Sequence, residues 1–508
     1  GTVKRINPSQ AKGLHLDHCE LWINPLNSNH LAIGNDGGLF VSYDKGSSWL
    51  HYNNLPTGEF YDIELDYKKP YNIYGGTQDD ATVFGPAKEW RNEFNDPWKY
   101  LWIDAWDGGD GCITRVDPND SSTLYFSMQN GAIRRKNLIS EKSKSIRPVL
   151  PDYINDTLKY NFITPYFISN HNSNVLYHAG NYIFKSENKG DKWKLISSNL
   201  TNSKNYPQKK SIAAGAIAES KLQKGLLYFG TDRGLFWTSK NDGKTWKENS
   251  DEISDGYIRS IHPSLYKKGR VYMSMTGINY DDLSNYIYVS ENYGEGWKKL
   301  KGNLPNEPVN LIIEDPKFEN ILYAGMYRGV YISLDKGTSW NLIGDNFPMT
   351  SVSDIEIDKA TNDMIVSSHG RGIYKINLNP IHNYFINRDL LKDDKILNTE
   401  KFILPKFNDT HREPIMNTYE KVSISFYLNK EKKYSLIIKD HKEVLWEYER
   451  LGKKGLNQFR WDLILEKNNS QKPYHIHFNK FINAGNYTLI LKTDDKMHSV
   501  EIDVNGYN

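Results

Sequence analysis

Cysteine is nearly absent from this chain of 508 residues, with Cys19 and Cys112 the only two, so a disulfide framework is not what holds it together. No apolar run approaches the roughly 18 residues that cross a bilayer, which removes a helical membrane span. An excess of charge is lacking as well. The 64 Lys and Arg against 62 Asp and Glu leave +2, and that balance gives no reason to expect nucleic acid or an anionic membrane as partner. The common catalytic signatures are missing too, among them Gly-x-Ser-x-Gly, His-Glu-x-x-His and the P-loop. No secretory leader opens the sequence; strand-like residues begin at once, as in a mature or processed product.

What is present is a short signature that returns five times, Ser-x-x-x-Gly-x-x-Trp, with Asp or Asn in the third position or next to it. The copies run from Ser42 to Trp49, Ser186 to Trp193, Ser239 to Trp246, Ser290 to Trp297 and Ser333 to Trp340. Each is a strand-to-strand turn: the Asp or Asn side chain accepts backbone N–H groups ahead of it, Gly supplies a positive φ, and Trp covers the turn. These residues are expected to be folding elements, with the five tryptophans buried. A fixed signature every 40 to 55 residues or so is the mark of a propeller or solenoid.

A second motif, an apolar run closing on a small residue, precedes each turn and locates repeats whose turn has decayed. It stands at 31–34, 73–75, 124–127, 176–179, 227–230, 271–274, 322–325 and 365–367. Asn-Pro or Asp-Pro turns lie upstream of most copies, as at Pro25, Pro118 and Pro316. Each unit thus reads as four short antiparallel strands, a propeller blade. The predicted blades cover 19–57, 59–104, 110–149, 160–201, 212–251, 256–305, 309–348 and 350–378. The last has three strands, and residues 2–7 have the alternation to supply a fourth. The fold class is all-β: a propeller of about eight blades over 1–378.

Beyond Leu378 the repeat stops. Residues 379–418 form a charged, irregular connector with Pro380, Pro405 and Pro414. Short strands follow at 422–428, 434–439, 443–449, 459–463, 487–492 and 500–504, which makes 419–508 a small β-sandwich, a spacer or docking module. Cys19 and Cys112 fall on predicted innermost strands of the first and third blades. A whole blade separates them, too far for a disulfide, and they are expected to be buried free thiols.

In such a ring the signature turns join third to fourth strands and lie at one end. The loops joining second to third strands, and those leading into each first strand, lie at the other. Uncommon polar residues collect at that second end. The second-to-third loops carry Asp36, Gln78, Asp79, Gln129, Arg233, Tyr327, Arg328, His369 and Arg371, and the entry loops carry His15, Asp17, His18, Trp106, Asp107 and Asp110. Polar groups that converge from most blades on one end of a channel make a ligand site.

The runs Asp17-His18, Gly34-Asn-Asp36-Gly-Gly38, Gly75-Gly-Thr-Gln78-Asp79, Gly108-Gly-Asp110-Gly and His369-Gly-Arg371-Gly372 resemble the second half of large bacterial secreted proteins with sortilin-like (VPS10-like), Asp-box (BNR) propellers, often described as glycosyl hydrolase-like. Residues 455–463 and 484–489 resemble that family's terminal FlgD-like immunoglobulin domain. The resemblance spans essentially the whole chain. It implies a secreted or surface-exposed bacterial protein, and relatives of this kind generally carry a further propeller upstream. The chain departs from the family at two points: Gln78-Asp79-Asp80-Ala81 stands where Gln-Asp-Asn-Gly is usual, and Cys19 where His is common.

Two functions remain open on these residues. One is a binding or scaffolding protein for a glycan or extended peptide. The other follows from a more distant resemblance to tandem-propeller xyloglucan hydrolases, in which Asp36 would be a catalytic carboxylate, or else only a turn residue before Gly37-Gly38. Hydrolysis of a glycoside needs two carboxyls; the second would come from Asp79, Asp107 or Asp110, or from an N-terminal propeller half or partner chain. His15, Asp17, His18 and His369 are a candidate metal set if first and last blades adjoin, and the Asp-rich 104–110 loop is a candidate calcium site. The same residues equally serve as rim hydrogen-bonding groups, and no other cofactor is expected. A sialidase is disfavoured, because only Arg233, Arg328 and Arg371 are on hand to hold a sialic carboxylate.

Overall fold

The computed structural model describes residues 14–506 apart from residue 16, 53–54, 56, 88–96, 102–108, 301, 345–346, 400, 407–420, 467–479 and 495, and only the backbone of Asn398. It separates into two compact units, 1–376 and 377–508. The first contains eight antiparallel sheets in chain order, each of four strands except the last, which has three. Residues 2–7, expected to complete that last sheet, lie outside the described residues.

The recurring turn explains its own composition. In the first copy Ser42 Oγ accepts the Gly46 N–H at 2.8 Å, and Asp44 Oδ1 accepts the Ser48 N–H at 2.8 Å. The copies built on Asn188, Asn241, Asn292 and Asp335 repeat that second bond at 2.8 to 3.0 Å. Gly46 sits at φ 81, as Gly190, Gly243, Gly294 and Gly337 do within a few degrees, a region that only glycine enters without strain. Burial of the tryptophans is uneven. Trp340 is 2% and Trp297 9% exposed, whereas Trp49, Trp193 and Trp246 are only partly covered, contrary to the expectation that all five are buried.

Seven of the eight sheets close into a ring, the second through the eighth, with their innermost strands adjacent in order. Side-chain and backbone bonds link neighbours around it. Arg115 of the third sheet donates to Asp62 of the second, Tyr166 OH to Ile113 O, Asn161 Nδ2 to Ala214 O, Ser274 Oγ to Asn310 O, and Asn310 Nδ2 to Val352 O. The ring shuts where Ile63 N–H donates to Asp354 Oδ2 at 3.1 Å and Tyr71 OH to Asp363 Oδ2 at 3.0 Å. The second sheet, not the first, is therefore the neighbour of the last.

The first sheet, with strands His18–Ile23, Leu31–Asn35, Gly38–Ser42 and Leu50–Tyr52, is a blade by every local measure, yet it stands outside the ring. Its innermost strand is exposed along its whole length, whereas the equivalent strand Val309–Glu314 of the seventh sheet is buried at all positions but Ile313. Leu21, Trp22, Ile23, Leu50 and Tyr52 are 40 to 57% exposed. A blade buries its faces against two neighbours, and no described strand of this one makes a broad contact with a strand of another sheet. Cys19 rides on the exposed strand, so it is an exposed thiol rather than the buried one expected; Cys112 is buried, and both are free.

The second unit opens with the helix Asn379–Asn387, started by Pro380 in its first turn, where a missing N–H costs nothing. Its strands form a sheet of three and a sheet of five that close on one core built around Phe426, Leu436, Ile438, Trp461 and Leu489, with a separate two-stranded pair. The predicted strands fall within Val422–Leu428, Lys432–Lys439, Val444–Gly452, Gly455–Trp461, Gly485–Thr493 and Met497–Asn505, with small differences at the ends.

Candidate functional site

At the end of the ring opposite the signature turns, three loops of the second, third and eighth sheets press together. The backbones leave no room for side chains: a Cβ on Gly111 would lie 2.1 Å from Ala81 O, and one on Gly76 2.0 Å from Cys112 O. Asp79 and Ala81 are forced to φ 57 in the tight turn between them, a left-handed conformation that side chains resist. Ala81 holds that conformation with a side chain present, at the expense of backbone strain.

This packing aims a group of carboxyls at one place. Asp110 Oδ1 accepts the Asp79 N–H at 3.1 Å, and Tyr61 OH lies 3.1 Å from both Asp110 Oδ2 and Gln78 Oε1. Gln78 N–H donates to Glu59 O at 3.1 Å. Glu59 Oε1 in turn meets His369 Nδ1 at 3.0 Å, across the seam where the ring closes. Asp36, on the outlying first sheet, lies near enough to the same place for its carboxyl to raise the pKa of Asp79.

Burial raises the pKa of Asp79, Asp110, Glu59 and Asp80 above the usual carboxyl range. In Asp79 the neighbouring Asp36 carboxyl adds to it. In Asp110 the Asp79 N–H and the Tyr61 hydroxyl work against it. In Glu59 the His369 ring opposes it, while Asp110, Asp36 and Asp79 reinforce it. The cluster is thus a set of carboxyls that burial biases toward the protonated form. Glu59 and His369 are open to solvent, with 26% and 58% of their side chains exposed.

Of the residues singled out in the sequence, Asp36, Gln78, Asp79, Asp110 and His369 come together here. His15 lies against Gly37, accepts the Asn35 amide through its carbonyl at 3.0 Å and faces Asp80 electrostatically. Asp17 is exposed at φ 55, and His18 Nδ1 sits 3.4 Å from Asn35 Nδ2. Gln129 keeps a shielded Oε1 with no partner among the described residues. Trp106 and Asp107 lie outside the described residues. Arg233 stacks on Tyr280 at 4.0 Å, Arg328 pairs with Glu307 at 3.4 Å beside the partly buried Tyr327, and Arg371 is exposed.

The candidate metal set of His15, Asp17, His18 and His369 was conditional on the first and last sheets adjoining in the ring, and the second sheet takes that place beside the last. Among the described residues no group of three or more His, Cys, Asp or Glu is arranged to hold a metal ion.

Sequence reasoning missed Glu59, Tyr61 and Asp80, and a second charged group deeper in the ring. Asp62-Ile63-Glu64 and Asp354-Ile355-Glu356 are the same triplet on the two innermost strands that meet at the seam. Arg115 enters from the third sheet, 2.6 and 3.0 Å from Asp62 and 3.5 Å from Glu64. Burial and mutual repulsion raise the pKa of Glu64 and Asp354, which Arg115 opposes. Acids alternating with an apolar residue in an innermost strand were the available signal.

Comparison with known proteins agrees on the fold. Residues 234–402 match the family model described as sortilin, neurotensin receptor 3, which supports a sortilin-like β-propeller. No curated protein matches the chain by sequence. Among solved structures, YCF48 from Cyanidioschyzon merolae is 12% identical at a TM-score of 0.43, covering 63% of this chain and 96% of its own. PorZ, a bacterial surface component of the type-IX secretion system of Porphyromonas gingivalis, is 10% identical at a TM-score of 0.43, and the match covers 94% of this chain and 64% of PorZ. A GH74 xyloglucanase from Xanthomonas campestris is 12% identical at a TM-score of 0.28, covering 81% of this chain and 74% of its own. Among the described residues no helix is long and apolar enough to cross a membrane.

Proposed function

We propose that this chain is a secreted or surface-exposed bacterial binding or scaffolding protein that recognises a glycan or extended peptide at the carboxyl-rich end of its ring. The observation that carries the reading is the convergence of Glu59, Asp79 and Asp110, all with raised pKa, beside the exposed His369. Carboxyl groups beside the Gln78 carboxamide and an imidazole suit sugar hydroxyls and peptide groups alike. The second unit is a docking module of the FlgD-like immunoglobulin type.

A second reading, a glycoside hydrolase, is favoured by the nearness of the Asp36 carboxyl to that of Asp79, whose pKa it raises. One of them stands on a sheet outside the ring. In this reading an N-terminal propeller half or a partner chain packs on the exposed first sheet and completes a cleft, with Asp36, Asp79 or Asp110 as proton donor and nucleophile or base.

Glycan and peptide arrays with the 508-residue chain, followed by product analysis on each hit, separate the two. Binding without release, weakened by Asp79→Asn, supports the binding protein. Release of sugar that Asp36→Asn abolishes while binding persists supports the hydrolase. Binding unaffected by either change removes the carboxyl cluster as the site.

A further inference from the structure

A cleft of about 800 Å³ opens at the other end of the ring, between the outer strands of the fourth and fifth sheets. Its existence follows from the fold. Neighbouring blades diverge outward, and the outermost strands here are only two residues long, Lys194–Leu195 and Lys247–Glu248. Large side chains fill the gap in part: Trp193, Trp237 and Trp246 line it, each partly exposed. Trp246 is fixed across the cleft's own seam, its Nε1 donating to Ile196 O of the fourth sheet at 2.9 Å, whereas the Trp193 indole turns toward the third sheet and donates to Ile146 O at 2.6 Å. The walls therefore present rigid aromatic surface rather than mobile side chains.

The charge of the lining is one-sided. Its two acids, Glu187 and Asp242, are both engaged by Lys185, at 2.8 and 2.7 Å. Three further lysines, Lys192, Lys194 and Lys244, line the cleft, are exposed, and form no ion pair among the described residues. A volume of this size is that of a small-ligand site. Indole faces pack on flat C–H surfaces, while unpaired ammonium groups call for anions.

We propose that this cleft binds an acidic oligosaccharide, its sugar faces on the tryptophans and its carboxylates on Lys192, Lys194 and Lys244. The site is separate from the carboxyl cluster, whose charge would repel such a ligand. The test is isothermal titration of the 508-residue chain with oligogalacturonides, against neutral cello-oligosaccharides and poly-glutamate of similar length. Binding of the oligogalacturonide alone is expected, weakened at least tenfold in Lys194→Glu/Lys244→Glu, weakened by salt, and unchanged in Asp79→Asn.

The two lysines are on the surface, so the double variant is expected to fold, which a thermal melt checks. Trp237→Ala gives a second arm if it folds, and it should also lose binding. Equal binding of the neutral sugar or of poly-glutamate would overturn the proposal, as would no binding of oligogalacturonide or binding indifferent to the lysines. Loss of this binding in Asp79→Asn would place it at the other end of the ring.

Discussion

Ile63 and Asp354 lie 291 residues apart, and the Ile63 N–H donates to the Asp354 carboxylate at 3.1 Å. That bond sits at the seam where the propeller closes on itself. Removing the acceptor with Asp354→Ala leaves a buried N–H unsatisfied and should cost about 1 to 3 kcal/mol. Asp354→Asn keeps an oxygen acceptor and removes a charge whose pKa is raised by burial and by Asp62 and Glu356. It should be as stable as the parent, or more so, at pH 8. Urea melts of the three proteins check the ordering.

Glu356 belongs to the same group, with a pKa raised chiefly by burial. A carboxyl whose folded pKa exceeds its unfolded value contributes stability that is fully present below the unfolded pKa, near 4, and is lost as pH rises through the folded one. Glu356→Gln should therefore flatten the fall in stability as pH rises from about 4 towards neutrality. Denaturant midpoints measured across that range give the difference. A steeper slope in the variant would contradict the assignment.

Ala81 holds φ 57 while buried at 4% exposure. Ala81→Gly relieves a left-handed side chain and should stabilise the protein by about 1 kcal/mol, after the entropy that glycine loses on folding. A shift of the melting midpoint upward, with ligand binding unchanged, is the expected result.

The tryptophans of the repeated turn should not be equivalent. Trp340 is 2% exposed and donates to Gly337 O, so Trp340→Ala should cost at least about 3 kcal/mol. Trp193 is partly open on its cleft, and Trp193→Ala should cost less, since less surface returns to water. Chemical denaturation of the two variants side by side tests the ranking.

Tyr61 supports the ionised form of Asp110 by hydrogen bonding, a downward pull on a pKa that burial has raised. Tyr61→Phe removes that pull, so the Asp110 pKa should rise further. Carboxyl titration by carbon NMR on Asp-labelled protein reads this directly; a fall or no change would show that the hydroxyl does not face the carboxylate in solution.

Much of the site could be read from single loops, because Asp36, Gln78, Asp79 and His369 sit in short Gly-rich turns whose position in a four-strand unit follows from the repeat. Glu59 and Tyr61 were not legible. They lie at the start of an ordinary strand, and only the bridge from Glu59 to His369 at the seam gives them a role. The stacking of Arg233 on Tyr280, and the pairing of Arg328 with Glu307, likewise engaged residues that the sequence had offered to a common ligand site.

What the sequence by itself determined is the blade. The Ser-to-Trp turn, the apolar run and the proline turn each act within a few residues, so local hydrogen bonds and alternation are enough to specify eight sheets at their places in the chain. What only the tertiary structure decided is which sheets close the ring. The first sheet carries the same turn, from Ser42 to Trp49, as the fourth to seventh sheets, yet the second sheet takes the place beside the eighth, through Ile63 with Asp354 and Tyr71 with Asp363. Closure depends on the angle summed over all the blades and on contacts nearly three hundred residues apart, and no local pattern records either.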